Sequence, residues 1–219
     1  MPFLHRITLI LYAVLAYVVF ITFNHNWLMV WNLTEQVRAV GQFLQPFFSV
    51  MANLPWVLAA IVMAAMYHLA TNKFKAGTFD SSSKWFFLAV IAYQIAGFIL
   101  PSEGYVTSFL TGDWHRVTSN LILALIMAPV AEELLFRGLI PEGFRAAIGE
   151  NLGIWIGVII SAVIFGLAHK QYSMPNQIHL MGLAVIFGYA RIRSDGFRLP
   201  ILLHSAAGAV AIIGGCLMR

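Results

Sequence analysis

A-P-V-A-E-E-L-L-F-R-G, residues 128–138, places two carboxylates and a guanidinium at the end of an apolar run that begins at residue 121. The run has the composition of a membrane-embedded segment. Ionisable side chains are rare at membrane depth because each costs roughly 2.5–3.5 kcal/mol on insertion scales. Glu132, Glu133 and Arg137 therefore need compensating partners.

Helix geometry predicts different surroundings for the two carboxylates. Glu133 and Arg137 are four residues apart, with the carboxylate N-terminal to the cation, so the two side chains can meet on one helix face. Glu132 lies about 100° further around the helix. The spacing predicts that one carboxylate is tied to Arg137 while its neighbour faces a cavity. The alternative is that all three residues mark a membrane surface and are solvated by water.

The composition identifies an integral membrane protein. Of the 219 residues, 60% are hydrophobic and only 10% are charged, whereas a soluble domain carries about 25% charged residues. Apolar stretches of spanning length predict an all-α, polytopic transmembrane helix bundle of seven spans. The predicted spans are 7–23, 54–70, 85–100, 118–136, 152–168, 178–190 and 199–217. Residues 36–50 mix polar and aromatic side chains as interfacial helices do, and an eighth span there stays open.

The distribution of positive charge predicts the orientation. With a cytoplasmic N-terminus, nine of the 13 Lys and Arg residues fall on the inside, including those of segments 73–84 and 191–198, and four fall outside. This split follows the positive-inside rule. The basic residues are spread over short loops, which argues against nucleic-acid binding. We expect one integral membrane domain, 1–219, in which a polar connection separates N-terminal helices (1–84) from a body (85–219).

Two histidines lie inside later apolar helices. His169 ends the run at 164–169, and Phe165, one helical turn earlier, is expected to share its face. His204 lies about one turn inside the last span, where a polar group must find a partner. A single histidine of this kind is ordinarily a packed or interfacial residue. A common polar cavity for Glu132, His169 and His204 accounts for polar groups on three helices at once.

The remaining polar residues of the body are interpreted as structural. His179 is predicted to be part of an exposed helix start, and the single cysteine, Cys216, leaves no internal disulfide and no cysteine-based metal site. The side chains expected to be solvated are those of Glu103, Asp113 and His115 in one loop and those of Glu142, Arg145 and Glu150 in a connector.

Three motifs carry a resemblance to a known family. E-E-x-x-x-R at 132–137, F-x-x-x-H at 165–169 and L-P-I-L-L-H at 199–204 occur in order inside hydrophobic helices. Together they resemble the CAAX protease and bacteriocin-processing family of intramembrane endopeptidases, also called the abortive-infection family. The resemblance covers roughly residues 121–208, and the N-terminal spans resemble nothing identified.

One position departs from the family pattern. The family has Asn or Asp four residues after the last histidine, and this chain has Gly208. A side-chain donor expected to help hold the oxyanion is therefore absent. Loss of one such donor can cost about 10²- to 10³-fold in rate.

The resemblance implies roles for the motif residues in peptide-bond hydrolysis by water. It implies Glu132 as general base, His169 as the group that orients water and passes a proton to the leaving amine, and His204 as a donor to the oxyanion. Glu133 and Arg137 are implied as a supporting pair. No cofactor is required on this interpretation.

Other functions use the same residues. Two histidines and a carboxylate, Glu132, His169 and His204, are adequate zinc ligands for a metal-dependent protease. A non-catalytic immunity or regulatory protein of the membrane is the alternative that Gly208 favours, and a transporter is less favoured because no inverted repeat is visible.

The resemblance further implies a bacterial inner or plasma membrane, surrounding lipids, and a substrate that is a prenylated or leader-bearing protein or a peptide. It leaves the oligomeric state open.

Overall fold

A computed structural model describes residues 48–71 and 75–217 of the chain. Within them every regular element is a helix, which confirms the all-α class. The helices are α1 (Phe48–Thr71), α2 (Ser83–Ala96, extended by one 3₁₀ turn, Gly97–Ile99), α3 (Gly104–Ser108), α4 (Trp114–Ile148), α5 (Glu150–Ala168), α6 (Met174–Arg193) and α7 (Arg198–Leu217).

The predicted spans from residue 54 onward each coincide with a helix. The predicted span 7–23 lies outside the described residues, as does most of segment 36–50, where an eighth span stays open. Among the described helices, three are long and apolar enough to cross a membrane, namely α4, α5 and α7. Two shorter apolar stretches are Asn53–Leu69 and Ser83–Ile99. The polytopic helical class is confirmed, and the count of seven spans stays a prediction.

Helix α4 carries the acidic motif and contains two wide, π-helical stretches, Leu123–Met127 and Glu133–Leu139. Each stretch ends two residues before a proline, Pro129 or Pro141. A proline inside a helix has no N–H for the carbonyl four residues earlier, and its ring crowds that carbonyl, so the preceding turn widens. Helix α4 nevertheless continues to Ile148. The predicted span 118–136 is therefore part of a longer helix, and the connector after it is helical and packs on α5.

Glycines allow the end of α4 to pack closely against α5. Gly149 turns the chain at φ +128°, a conformation that favours glycine. A methyl group at Gly157 would lie 2.6 Å from the Pro141 Cα, and one at Gly153 would collide with the Phe144 carbonyl. Small residues thus bring two antiparallel helices into backbone contact, as in other membrane bundles.

The two connections that precede α2 and α7 meet each other. Thr78 N–H donates to the Ser194 carbonyl, Arg198 N–H donates to the Ala76 carbonyl, and the Lys75 Nζ lies 2.6 Å from an Asp195 carboxylate oxygen. The two segments therefore lie on the same side of the bundle, as the charge distribution predicted. Which side faces the cytoplasm stays a prediction. Arg137 is 1% and Arg191 5% exposed, so these two belong to the interior rather than to a membrane-facing loop.

Candidate active site

A cavity of about 880 Å³ lies between α1, α2, α4, α5, α6 and α7. Most of its wall is apolar, and its polar side chains include those of Glu132, His169 and His204. Phe165 and Gly208 also line it. The structure thus brings the predicted residues of three helices to one cavity. Its size and its few convergent polar groups are typical of a small-molecule or peptide-binding site.

The two adjacent carboxylates of α4 point to different surroundings, as helix geometry predicted. Glu132 lines the cavity, and its side chain is 16% exposed. Glu133 is fully buried, with 0% exposure. Only one carboxylate is therefore available to a molecule in the cavity.

The buried Glu133 is paired with Arg137 on the next turn. Arg137 Nη1 lies 3.0 Å from Glu133 Oε1, and both side chains are excluded from solvent. The guanidinium carbon also lies 4.5 Å from the Phe165 ring centroid and 5.3 Å from that of Phe187. A delocalised, weakly hydrated cation is suited to such a position between aromatic rings. The predicted supporting pair is therefore present.

His204 links the two carboxylates. Its Nδ1 lies 2.8 Å from Glu133 Oε1, and its Nε2 lies 3.6 Å from Glu132 Oε2. Because a carboxylate oxygen accepts, Nδ1 carries a proton and donates to Glu133. The second distance is too long for a hydrogen bond but leaves Nε2 close to the cavity carboxylate. The sequence predicted a partner for His204 and did not identify Glu133, which is 71 residues away.

His169 ends α5 and is oriented by its own helix. Its Nδ1 lies 2.7 Å from the Phe165 carbonyl oxygen, so Nδ1 donates and Nε2 is the acceptor nitrogen of the neutral ring. The Phe165 ring lies 4.5 Å from the His169 ring and 5.8 Å from the His204 ring. Phe165 therefore contacts both imidazoles, and the prediction that Phe165 and His169 share a helix face is confirmed.

Gly208 leaves space beside α4. A Cβ atom at this position would lie 3.3 Å from the Leu125 Cδ2 and 3.5 Å from the Ala124 carbonyl oxygen. The closer neighbour is the end of a flexible side chain. A Cβ at 208 would therefore fit after a small shift of the Leu125 side chain.

Several polar residues interpreted as solvated are partnered instead. Glu142 is 2% exposed and contacts both Arg145 and Arg191, the latter at 2.9 Å. The prediction that Glu142 belongs to a solvated face is wrong, because Arg191, 49 residues later, supplies a buried counter-charge. Glu150 is exposed as predicted, although it pairs with Arg145 at 2.8 Å.

The loop residue Glu103 is hydrogen-bonded to the start of α6. It accepts hydrogen bonds from the backbone and hydroxyl of Ser173 and from the Asn176 amide. Partial burial acts to raise the pKa of Glu103, but these hydrogen bonds outweigh it and hold the pKa below its ordinary value. The interpretation of Glu103 as merely solvated is therefore wrong. Asp113 is exposed as predicted and caps α4 by accepting from the Arg116 N–H.

Three side-chain amides of the cavity wall, those of Asn53, Gln94 and Gln171, were missed by the sequence analysis. Asn53 precedes a proline in α1, and Gln94 is one polar residue in the apolar helix α2. A polar residue inside a predicted span was the available signal for Gln94.

The metal alternative depends on how the possible ligands are grouped. In the part of the chain that the structure describes, no three His, Cys, Asp or Glu side chains are gathered as a metal ion requires. His204 and His169 bond through Nδ1 to Glu133 and to a carbonyl, an arrangement that is also usual for metal-binding histidines. Dependence on zinc stays a hypothesis.

Fold and site together define a polytopic helical membrane protein with a glutamate and two histidines in an internal cavity. Residues 114–210 match the model of the family described as type II CAAX prenyl endopeptidase Rce1-like. The resemblance to the CAAX protease and bacteriocin-processing family is therefore confirmed over this segment.

Two curated relatives also match. An uncharacterized 24.3 kDa protein of Escherichia coli is 35% identical over 118 residues, which cover 53% of this chain and 54% of the relative. A Bacillus subtilis (strain 168) protein named "Putative membrane peptidase YdiL" is 28% identical over 134 residues, which cover 58% of this chain and 52% of the relative. The chain thus spans about half the length of the curated relatives it matches. No solved structure matches it.

Proposed function

We propose that this protein is an intramembrane endopeptidase that hydrolyses a peptide bond with water activated by Glu132. The observation that carries the proposal is the position of His204, with Nδ1 on the buried Glu133 and Nε2 facing the cavity carboxylate Glu132. The family match at 114–210 supports the same class of reaction. Prenylated C-terminal tails and leader-bearing peptides are the proposed substrate classes.

The first step is addition of water to the scissile carbonyl. Glu132 takes one proton from water as the oxygen attacks the carbonyl carbon, and the carbonyl oxygen becomes an oxyanion. His204, protonated on both nitrogens, donates its Nε2–H to this oxyanion. Glu133 accepts the Nδ1–H and stabilises the imidazolium, and Arg137 provides a counter-charge to Glu133 at 3.0 Å.

The second step breaks the carbon–nitrogen bond. The proton held by Glu132 must reach the leaving nitrogen so that an amine departs and a carboxylate forms. His169 can relay it, because Nε2 accepts a proton and then donates it while Nδ1 stays bonded to the Phe165 carbonyl. No covalent enzyme intermediate is formed, and one water is consumed per bond.

The proposal is tested by turnover in lipid nanodiscs. The probes are a quenched-fluorescence farnesylated C-a-a-X peptide and a quenched-fluorescence leader-peptide library. Glu132→Gln and His169→Ala are each expected to remove nearly all turnover, at least about 10²-fold, and His204→Ala to leave a residue of activity. The matched control is Glu150→Gln, which changes a side chain 69% exposed and away from the cavity.

The same assay tests the alternatives. If chelation abolishes turnover and zinc restores it, the metal-dependent version replaces the one proposed. The absence of a side chain at Gly208 favours a second candidate, a non-catalytic immunity or regulatory protein. That candidate is correct if the wild type cleaves neither probe and Glu132→Ala keeps the full cellular effect.

A further inference from the structure

His179 is not part of an exposed helix start, which corrects the sequence interpretation. It is half-buried in α6 and stacks on the Tyr93 ring, with centroids 4.5 Å apart and planes 10° apart. Its Nε2 lies 3.3 Å from the Gln94 Oε1. A carboxamide oxygen accepts, so the imidazole donates its Nε2–H to Gln94. His179 thus fixes the oxygen end of this amide.

Two glycines make room for this group of side chains. A Cβ at Gly97 would lie 2.6 Å from the His179 ring, and one at Gly182 would collide with the Tyr93 hydroxyl. The rings of Tyr93 and His179 are therefore confined between α2 and α6. Confinement of the imidazole keeps the Gln94 amide in one orientation, as a preorganised donor requires.

Gln94 lies at the level of Gly208 on the neighbouring helix. Helices α2 and α7 run side by side in the same direction, since Val90 packs in one cluster with Leu203 and the Phe98 ring packs on Gly214. Gln94 is midway between Val90 and Phe98, and Gly208 is near the middle of the interval from Leu203 to Gly214. Both Gln94 and Gly208 line the cavity that holds His204. An amide from α2 therefore borders the same cavity as the position where α7 has no side chain.

We propose that Gln94 is a further catalytic residue whose Nε2–H group donates a hydrogen bond to the oxyanion, and that His179 is its positioning residue. This inference rests on the proposed function. The charge developing on the carbonyl oxygen needs more than one donor, and His204 is one. Gln94 supplies a neutral donor and undergoes no covalent change. Its oxygen is directed away from the oxyanion because that oxygen is bonded to His179.

The cavity wall contains an amide for comparison. Asn53 also lines the cavity, but its Oδ1 accepts the Trp56 indole N–H at 2.7 Å within its own helix. Trp56 is 5% exposed and packs on the α4 segment before Glu132. Asn53 is thus held by α1 on the α4 side of the cavity, whereas Gln94 is held by His179 of α6.

The test compares three substitutions with the farnesylated C-a-a-X peptide and the leader-peptide library as probes. Gln94→Glu keeps the shape and the oxygen that His179 bonds but removes both donors, and Gln94→Ala removes the whole amide. Each is expected to lower kcat by about 10²-fold or more with little change in KM. Asn53→Ala, the comparison variant at the cavity wall, is expected to lower kcat much less than either Gln94 variant.

His179 is tested by two substitutions. His179→Phe keeps an aromatic ring against Tyr93 and removes the donor to Gln94, so kcat is expected to fall while the melting temperature in detergent changes little. His179→Gln restores an N–H donor and is expected to recover part of the lost kcat. A purely structural role for His179 predicts instead that kcat follows the melting temperature.

The outcomes separate the inference from the proposed function. If the wild type is active and Glu132→Gln is inactive, but both Gln94 variants keep wild-type kcat, the inference is wrong and the protease proposal survives. The inference is also wrong if Asn53→Ala lowers kcat more than Gln94→Ala. If the wild type cleaves neither probe, the proposed function fails, and the role of Gln94 fails with it.

Discussion

Replacement of Glu133 by Gln is expected to destabilise the protein strongly and to abolish turnover. Glu133 and Arg137 are 0% and 1% exposed, so the substitution leaves a buried guanidinium without its counter-charge. Breaking a buried ion pair in this way costs about 3–5 kcal/mol. Turnover also falls because His204 loses the charged acceptor of its Nδ1–H.

An exposed ion pair provides the matched control for this loss. Lys75 and Asp195 are only 2.6 Å apart, yet their side chains are 62% and 67% exposed. Water solvates both partners whether or not they meet, so Asp195→Asn is expected to cost about 0–1 kcal/mol. Asn also tolerates the positive φ of 50° at this position. The exposed pair of Lys75 and Asp195 is therefore expected to contribute less to the free energy of unfolding than the buried pair of Glu133 and Arg137, although its distance is shorter.

A double variant separates stability from activity. Arg137→Met in the Glu133→Gln background removes the unpaired cation. The free energy of unfolding is expected to be about 1–3 kcal/mol higher than that of Glu133→Gln. Turnover is not expected to return, since His204 still lacks a carboxylate partner. Unfolding in mixed detergent micelles and probe cleavage in nanodiscs measure the two quantities. The reasoning is refuted if Glu133→Gln costs no more than Asp195→Asn, or if the double variant recovers turnover.

Three further results are expected. Gly208→Asn should fold normally, because the nearest obstacle is the end of the Leu125 side chain, and should raise kcat by adding a hydrogen-bond donor to the oxyanion. The control Gly182→Ala, whose Cβ collides with Tyr93, should lower the melting temperature. Glu142→Gln should cost about 3 kcal/mol of unfolding free energy because Arg191 is left buried and unpaired, whereas Glu150→Gln should stay within about 0.5 kcal/mol. The ionised Glu103 carboxylate stabilises the start of α6, and its pKa in the folded protein is lowered, so this stability should be lost as the pH falls below about 4.3. Hydrogen exchange at the Ser173 amide should rise at that pH in the wild type and should show no such pH dependence in Glu103→Gln.

The parts of the site that the sequence predicted are those governed by local spacing. Glu133 and Arg137 are one helical turn apart, as are Phe165 and His169, and helix periodicity alone places each pair on one face. The histidine motifs then indicated a cavity, since polar groups inside apolar helices need partners.

The parts that were missed depend on contacts between distant segments. Glu142 seemed to be solvated because its buried partner, Arg191, belongs to another helix, and the bond from His204 to Glu133 likewise spans 71 residues. The continuation of α4 beyond residue 136 was not predicted because the apolar run ends there at Arg137, whereas packing on α5 keeps the segment helical. Helix spacing contains no information about such contacts.

The length of α4 bears on the depth at which the Glu132 carboxylate lies in the membrane. At 1.5 Å per residue its 35 residues extend roughly 50 Å, while the hydrocarbon layer of a bilayer is about 30 Å thick. About 20 Å of the helix must therefore project beyond the hydrocarbon or be taken up by tilt. Glu132 lies near the midpoint of α4, so the distance that water and a polar peptide bond must travel to reach it is set by how far each end protrudes. We therefore expect turnover to depend on bilayer thickness, because acyl-chain length changes the depth of the Glu132 carboxylate.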